Sequence, residues 1–116
     1  MALEVGAVVI DCNDLKRMSE FWGAALGYQV REPADEYWVT LEGGDDSAVS
    51  VGLQKVPEPR SGKNRLHLDL YTDDKEGDVE RLSRLGASEV DRSNDPEDDF
   101  VVLCDPEGNL FCIIVD

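Results

Sequence analysis

The chain has little of several features that would place it in a membrane or a secretory pathway. No apolar run approaches the ~20 residues that cross a bilayer. The first residues, Met-Ala-Leu-Glu-Val, have no basic segment of the kind that begins a signal peptide. We therefore expect a cytoplasmic protein that has no membrane partner.

Basic residues are also scarce. The 116 residues include 11 Lys and Arg against 26 Asp and Glu, for a net charge of −15. A surface of this sign repels nucleic acid and anionic membranes, so we expect no nucleic-acid partner. Most of this charge is interpreted as a solubilising coat, and it also argues against a strongly anionic substrate.

Cysteine and histidine are few. The three cysteines, Cys12, Cys104 and Cys112, are odd in number and lack CxxC spacing, and His67 is the single histidine. Disulfides are rare in the cytoplasm, and a structural zinc site needs more ligands at closer spacing. The sequence therefore predicts neither.

The apolar residues, 41% of the chain, fall into structured runs. A helical stripe begins at Leu15 and ends at Gly27, after Asn13 or Asp14 as an N-cap. The stripe consists of Leu15, Met18, Phe21, Trp22, Ala25 and Leu26. Phe21 and Trp22 on it are predicted core residues.

A second set of elements repeats the first. Residues 66–71 are predicted to form a strand, and a second helical stripe follows and ends at Gly86. The distance from the helix-ending glycine to the hairpin turn is 19 residues in both halves, from Gly27 to Asp46 and from Gly86 to Asp105. This spacing predicts an internal repeat of order β, α, β, β, β.

The repeat predicts an α+β fold. Two βαβββ modules would form a curved, mostly antiparallel sheet around a cleft, with the helices outside. We expect a single domain over residues 1–116, with module one at about 4–56, a linker at 57–65 and module two at about 66–116. A ferredoxin-like βαββαβ sandwich is the main alternative.

Three motifs resemble the vicinal oxygen chelate superfamily, which includes glyoxalases, bleomycin resistance proteins and extradiol dioxygenases. They are VVIDCNDL at residues 8–15, KNRLHLDL at 63–70 and DPEGNLFC at 105–112. The second motif is similar to a glyoxalase-like subgroup, and together the motifs extend over nearly the whole chain. The resemblance implies the double-module fold and a small-molecule ligand in its cleft.

The resemblance also implies where a metal would be held. Members that use a metal take one ligand from the first strand and one from the last strand of each module. Those positions here are Ala7, Gln54, His67 and Cys112. His67 is a good ligand, whereas Ala7 cannot ligate and Cys112 suits a softer ion than magnesium or manganese. A divalent metal is therefore compatible with His67, but Ala7 and Cys112 disfavour it. No other cofactor is indicated.

Strand alternation places His67, Asp69 and Tyr71 on one face, opposite Leu66, Leu68 and Leu70, which would face the helix. His67 and Asp69 are the candidate catalytic residues. A hydrogen-bonded structural histidine is the alternative for His67.

Four further residues are candidate ligand-binding groups: Gln54, Tyr71, Trp38 and Cys112. Gln54 shares a face with Gly52, which leaves room for a ligand, although an exposed edge role is equally compatible. Cys112 also suits a small apolar core position. Trp38 either walls the cleft or packs beneath the helix.

The linker carries a basic cluster of Arg60, Lys63 and Arg65. Ordinary linker charge that pairs with acidic neighbours is the preferred interpretation, and a cap that attracts a carboxylate or phosphate is the alternative.

These features and the resemblance lead to a hypothesis of function. The protein is expected to be a glyoxalase-like small-molecule-binding protein of lyase or isomerase type with a degenerate metal site. The alternative is a non-catalytic protein that sequesters a small molecule, as bleomycin resistance proteins do, and a third is a structural dimer without ligand. Whether it is an enzyme stays open, and a homodimer is expected from the superfamily's habit of pairing modules between subunits.

Overall fold

The computed structural model describes residues 2–44 and 49–115. The chain divides into two compact units, Met1–Pro59 and Arg60–Asp116. In the first unit the elements are β1 (Ala7–Cys12), α1 (Leu15–Leu26), β2 (Gln29–Arg31), β3 (Trp38–Glu42) and β4 (Ser50–Lys55). In the second unit they are β5 (Leu68–Thr72), α2 (Lys75–Leu85), β6 (Ser88–Arg92), β7 (Phe100–Cys104) and β8 (Leu110–Val115).

Each unit is a βαβββ module with its own mixed sheet of four strands. The strand order is β1-β4-β3-β2 in the first sheet and β5-β8-β7-β6 in the second. The first and last strands of each module pair in parallel, and the other pairs are antiparallel. The predicted repeat is confirmed. The ferredoxin-like alternative is wrong, because each module closes its own sheet with its own last strand.

Local sequence signals begin and end both helices. The Asp14 carboxylate accepts a hydrogen bond from Arg17 N at 3.1 Å, and Asp74 accepts one from Gly77 N at 3.2 Å. Gly27 ends α1 with φ of 69°, a left-handed conformation that favours glycine. Neither helix in the described part of the chain is long and apolar enough to cross a membrane.

The core of each module lies between its helix and one face of its sheet. Met18, Phe21 and Trp22 of α1 are buried, as predicted, and the rings of Phe21 and Trp22 meet edge to face with centroids 5.1 Å apart. The sheet residues buried in the two modules are Val39, Leu41, Val51 and Leu53, and Val101, Leu103, Phe111 and Ile113. Burial of each such side chain stabilises the fold by roughly 1.5–3 kcal/mol.

Some boundaries differ from the predictions. The strand predicted at residues 66–71 starts at Leu68, so His67 precedes β5. Leu66, predicted to face the helix, is 85% exposed, because it lies in the irregular segment before the strand. The short strand β2 was not predicted, since its three residues are all exposed and have no apolar pattern. Asp46, on which the predicted spacing depends, lies outside the described residues.

Candidate functional site

The second sheet has a face that no helix of its module covers. Along β7 and β8 the half-buried side chains alternate with the buried ones that pack against α2. Asp69 and Tyr71 of β5 extend this face with exposed side chains. We call it the open face of the second sheet, and its β7 and β8 residues are Phe100, Val102, Cys104, Leu110, Cys112 and Ile114.

His67, Asp69 and Cys112 come together on this open face. His67 Nε2 lies 3.1 Å from Asp69 Oδ1, and both side chains are about half exposed. Asp69 and Cys112 are register partners on the parallel strands β5 and β8, so their side chains are adjacent. The nitrogen, oxygen and sulfur atoms of the three residues all lie within 4.8 Å of one another.

The environment of Cys112 keeps its thiol protonated. Partial burial raises the pKa of Cys112 above its ordinary value, and the negative charge of Asp69 raises it further. A thiol in this state is a weak nucleophile, because the thiolate is the reactive form. Cys112 therefore contributes a polarisable surface rather than an attacking group.

The corresponding positions of the first module carry no such cluster. Counted back from the N-cap residues Asp14 and Asp74, His67 corresponds to Ala7 and Asp69 corresponds to Val9. Val9 pairs with Gly52 in the way that Asp69 pairs with Cys112.

The strand register therefore makes Gly52 the counterpart of Cys112, whereas the resemblance had implied Gln54. Gln54 lies on the same face as Gly52, two residues further along β4.

Trp38 lies on the open face of the first sheet and not beneath the helix. A Cβ atom on Gly52 would lie only 2.7 Å from Cζ2 of the Trp38 ring, so the indole covers this glycine. Trp38 Nε1 donates a hydrogen bond to Thr40 Oγ1 at 2.7 Å, which fixes the ring. Gln54 is the register partner of Trp38 and is exposed beside it.

The remaining candidates have simpler surroundings. Tyr71 is 73% exposed on β5. Arg60 donates to Asn64 Oδ1 through Nε and Nη2, at 3.3 and 2.9 Å. Arg60, Lys63 and Arg65 form no ion pair within residues 2–44 and 49–115. The expected pairing of this basic cluster with acidic neighbours is therefore not seen among the described residues.

Sequence reasoning missed two residues that organise these surfaces. Thr40 fixes Trp38, and strand alternation was the signal that could have found it, because residues two apart share a face. Asn64 bonds to Leu110 O at 3.1 Å across 46 residues of sequence. No local pattern indicates a contact of that separation.

The donor set of the second sheet fits a borderline divalent ion such as zinc. Tetrahedral zinc with bonds of about 2.0–2.3 Å places its ligand atoms roughly 3.5 Å apart, so small rotations of the half-exposed His67 and Asp69 would suffice. Imidazole, carboxylate and thiolate together suit such an ion better than manganese or magnesium. The raised pKa of Cys112 opposes binding, since the thiol must first lose its proton.

Without a metal, the arrangement suits proton transfer. Histidine takes up and releases protons near neutral pH, and a carboxylate beside one ring nitrogen orients the other as a base. The surrounding apolar side chains of Val102 and Ile114 offer a surface for the carbon skeleton of a ligand.

Comparison with known proteins agrees with this architecture. The model of a family described as "Glyoxalase-like domain" matches residues 7–114. None of the curated proteins compared with the chain matches it.

Solved structures with the same fold extend over almost the entire chain. An enzyme of the glyoxalase/bleomycin resistance protein/dioxygenase family from Burkholderia phytofirmans has a TM-score of 0.80 at 23% identity, with 97% of this chain and 98% of that chain covered. The fosfomycin resistance protein FosX from Mesorhizobium loti has a TM-score of 0.77 at 17% identity, covering 100% and 94%. A mutant FosX from Listeria monocytogenes, complexed with Mn(II) and 1S,2S-dihydroxypropylphosphonic acid, has a TM-score of 0.81 at 10% identity, covering 98% and 90%.

Proposed function

This chain belongs to the glyoxalase-like domain family, and from that premise we propose that it binds a small neutral carbonyl compound on the open face of the second sheet. His67 and Asp69 then move a proton on the bound molecule, in a reaction of isomerase or lyase type. The observation that carries the proposal is the 3.1 Å contact of His67 Nε2 with Asp69 Oδ1, beside the apolar part of this face.

From this contact we assign a separate role to each of the two residues. Asp69 holds the Nε2 side of the imidazole, so Nδ1 is left as the base that faces the ligand. His67 takes a proton from the carbon next to the carbonyl group. In the isomerisation of an α-hydroxycarbonyl compound, His67 returns that proton to the former carbonyl carbon while the hydroxyl proton passes through solvent to the former carbonyl oxygen. In a lyase reaction, a leaving group on the carbon beside the carbanion departs with the bonding electron pair. Cys112, as a neutral thiol, packs against the ligand without attacking it.

Charge supports a neutral ligand. The chain has a net charge of −15, and the carboxylate of Asp69 lies within the cluster itself. An anionic substrate would meet this negative field. A metal ion held by His67, Asp69 and Cys112 would, when bound, polarise the carbonyl oxygen.

Hydrogen exchange at carbon tests the proton transfer. Hydroxyacetone, dihydroxyacetone and acetoin are incubated with the protein in D2O, and loss of the proton signal next to the carbonyl is followed by NMR. We expect His67→Ala to lower the exchange rate by about 10²–10⁴. Glu36→Ala, a change of an exposed residue in the first unit, is the control and should leave the rate unchanged. No exchange with any compound would contradict the catalytic proposal.

One observation favours sequestration as a second candidate function. The first module has Ala7 and Gly52 where the second has His67 and Cys112, so these positions of the first module have no counterpart of the cluster. A protein that only binds needs surface and shape, which Trp38 over Gly52 provides. A compound that raises the melting temperature without exchanging its protons would favour sequestration over catalysis.

We also propose that the protein works as a cytoplasmic homodimer. Cys104 and Cys112 are free thiols, which suits a reducing compartment. Val9 and Tyr71 expose apolar surface on the open faces of the two sheets, 46% and 73% of each residue. Light scattering should give twice the 12.8 kDa mass of the chain, and a mass of 12.8 kDa would contradict the dimer.

A further inference from the structure

The segment before β5 is held in place by a side chain rather than by the sheet. Asn64 Nδ2 donates to Leu66 O and to Leu110 O, both at 3.1 Å. The strand ladder between β5 and β8 begins only at Leu68 and Phe111. The side-chain amide therefore replaces the main-chain pairing that is missing one residue before the strand begins.

The orientation of this amide is itself fixed. Arg60 donates two hydrogen bonds to Asn64 Oδ1, and the aliphatic stem of Arg60 lies against the β7–β8 turn, 3.5 Å from a Cβ built on Gly108. Arginine has no acceptor atom, so its bonds leave Nδ2 as the end of the amide that faces the two carbonyl groups. Arg60 and Asn64 thus form one clamp on the hairpin that carries Cys112.

This clamp acts directly on the backbone of His67. The carbonyl of Leu66 belongs to the peptide bond whose nitrogen is that of His67, so a bond to this carbonyl fixes the peptide plane. The second bond ties the same amide to Leu110, two residues before Cys112. His67 precedes β5 and lies outside the register that pairs β5 with β8.

The first module shows what the position is like without the clamp. Counted from the N-cap residues, Glu4 corresponds to Asn64, and its carboxylate has no N–H group to bridge two carbonyl oxygens. Glu4 is exposed, and Ala7 stands where the second module has His67. The clamp accompanies the module that carries the histidine.

We infer that Asn64, held by Arg60, is the positioning residue that keeps His67 against Asp69 and beside Cys112. This inference adds a residue to the proposed site, and its role in proton transfer rests on the proposed function. The placement of His67 does not rest on the proposed function, because the test reads the His67 signals in the protein without ligand.

The single histidine makes the test direct. The ring ¹⁵N and ¹³C signals of His67 are recorded in the wild type, Asn64→Ala and Asn13→Ala. Asn13 is a matched control, because its Nδ2 also donates to two carbonyl groups, Val56 O and Glu58 O, but in the first unit. Urea unfolding of the same proteins measures the loss of stability that both changes share.

In the wild type the proton should be held on Nε2, which faces Asp69, more completely than in free histidine, which has a weaker preference for the same tautomer. Asn64→Ala should reduce the preference to that of free histidine, while Asn13→Ala keeps the wild-type signals at a similar loss of stability. In the exchange assay, Asn64→Ala should lower the rate by about a hundredfold, as expected for misplacement of a reacting group by an ångström.

Two results would overturn the inference: unchanged His67 signals in Asn64→Ala, or the same change in Asn13→Ala. If Asn64→Ala does not fold, Arg60→Ala removes only the exposed partner of the amide and should weaken the same tautomer preference, and unchanged signals there overturn the inference too. Absence of exchange in the wild type would contradict the proposed function alone, since the His67 signals are read without a ligand.

Discussion

The contact of Trp38 with Gly52 gives a prediction whose size follows from the geometry. In Gly52→Ala the new Cβ would lie 2.7 and 2.9 Å from Cζ2 and Cη2 of the indole ring, and 3.4 Å from Val9 Cγ2. Carbon atoms in contact prefer about 3.5–4.0 Å, so the ring must retreat by roughly an ångström. The hydrogen bond from Trp38 to Thr40 is 2.7 Å long and cannot follow that movement without stretching.

Three contributions set the expected change in the free energy of unfolding. Overpacking costs about 1–3 kcal/mol. Loss of the indole hydrogen bond costs about 0.5–1.5 kcal/mol, since the buried Thr40 hydroxyl is left without this partner. Replacement of glycine in a strand returns about 0.5–1 kcal/mol. We expect Gly52→Ala to be less stable than the wild type by roughly 0.5–4 kcal/mol.

Urea unfolding followed by circular dichroism measures this change. Gly6→Ala is the matched control, because a Cβ there meets nothing within 4 Å, and it should stay within about 0.5 kcal/mol of the wild type. In a Trp38→Phe background the shorter ring removes the clash, so Gly52→Ala should then cost much less. Equal stability of Gly52→Ala and Gly6→Ala, or an unchanged cost in the Phe background, would refute the described packing.

Three further outcomes are expected. Asp69→Asn removes one cause of the raised pKa of Cys112. Iodoacetamide should therefore alkylate this thiol faster in the variant, at a fixed pH below that pKa. An equal or slower rate would contradict the effect of the Asp69 charge on Cys112. Asp105→Ala should lower the free energy of unfolding, measured by urea titration, by about 3 kcal/mol. The reason is that the buried carboxylate of Asp105 accepts hydrogen bonds from Glu107 N, Asn109 N and Asn109 Nδ2, all at 2.9 Å. A change below about 1 kcal/mol would contradict its role in the turn. Titration with Co²⁺ should give a thiolate-to-cobalt absorption band, and Cys112→Ser should abolish it. The affinity for Co²⁺ should rise by about tenfold per pH unit below the raised pKa of Cys112, because the thiol must lose its proton to bind. A band that survives the substitution would exclude this thiol as a ligand.

Much of the fold could be predicted because its signals are local. The N-cap Asp14 and the helix-ending Gly27 act within a few residues of sequence, and the structure has α1 between them. Strand alternation in β5 was also visible, and the structure has Asp69 and Tyr71 exposed on one face and Leu68 and Leu70 half-buried on the other. The strand β2 has no such pattern and exists because it pairs with β3, a long-range cause.

The site was less predictable, because it depends on register and on contacts between distant residues. The resemblance implied Gln54 as the counterpart of Cys112, but which residue of β4 takes that place depends on the strand register, and the register gives Gly52. Alternation gives two faces for Trp38 but does not say which one the helix covers. The hydrogen bond from Asn64 to Leu110 becomes visible only when β5 and β8 are side by side.

Mapping of ligand contacts by amide chemical shifts tests the location of the site most directly. The ¹⁵N-labelled protein is titrated with hydroxyacetone, and the shift of each assigned amide signal is measured. A ligand on the open face of the second sheet should move most strongly the amides of His67, Asp69 and Tyr71, and those of Cys112 and its neighbours on β8. Shifts confined to the first unit, or no shifts at all, would contradict the proposed site.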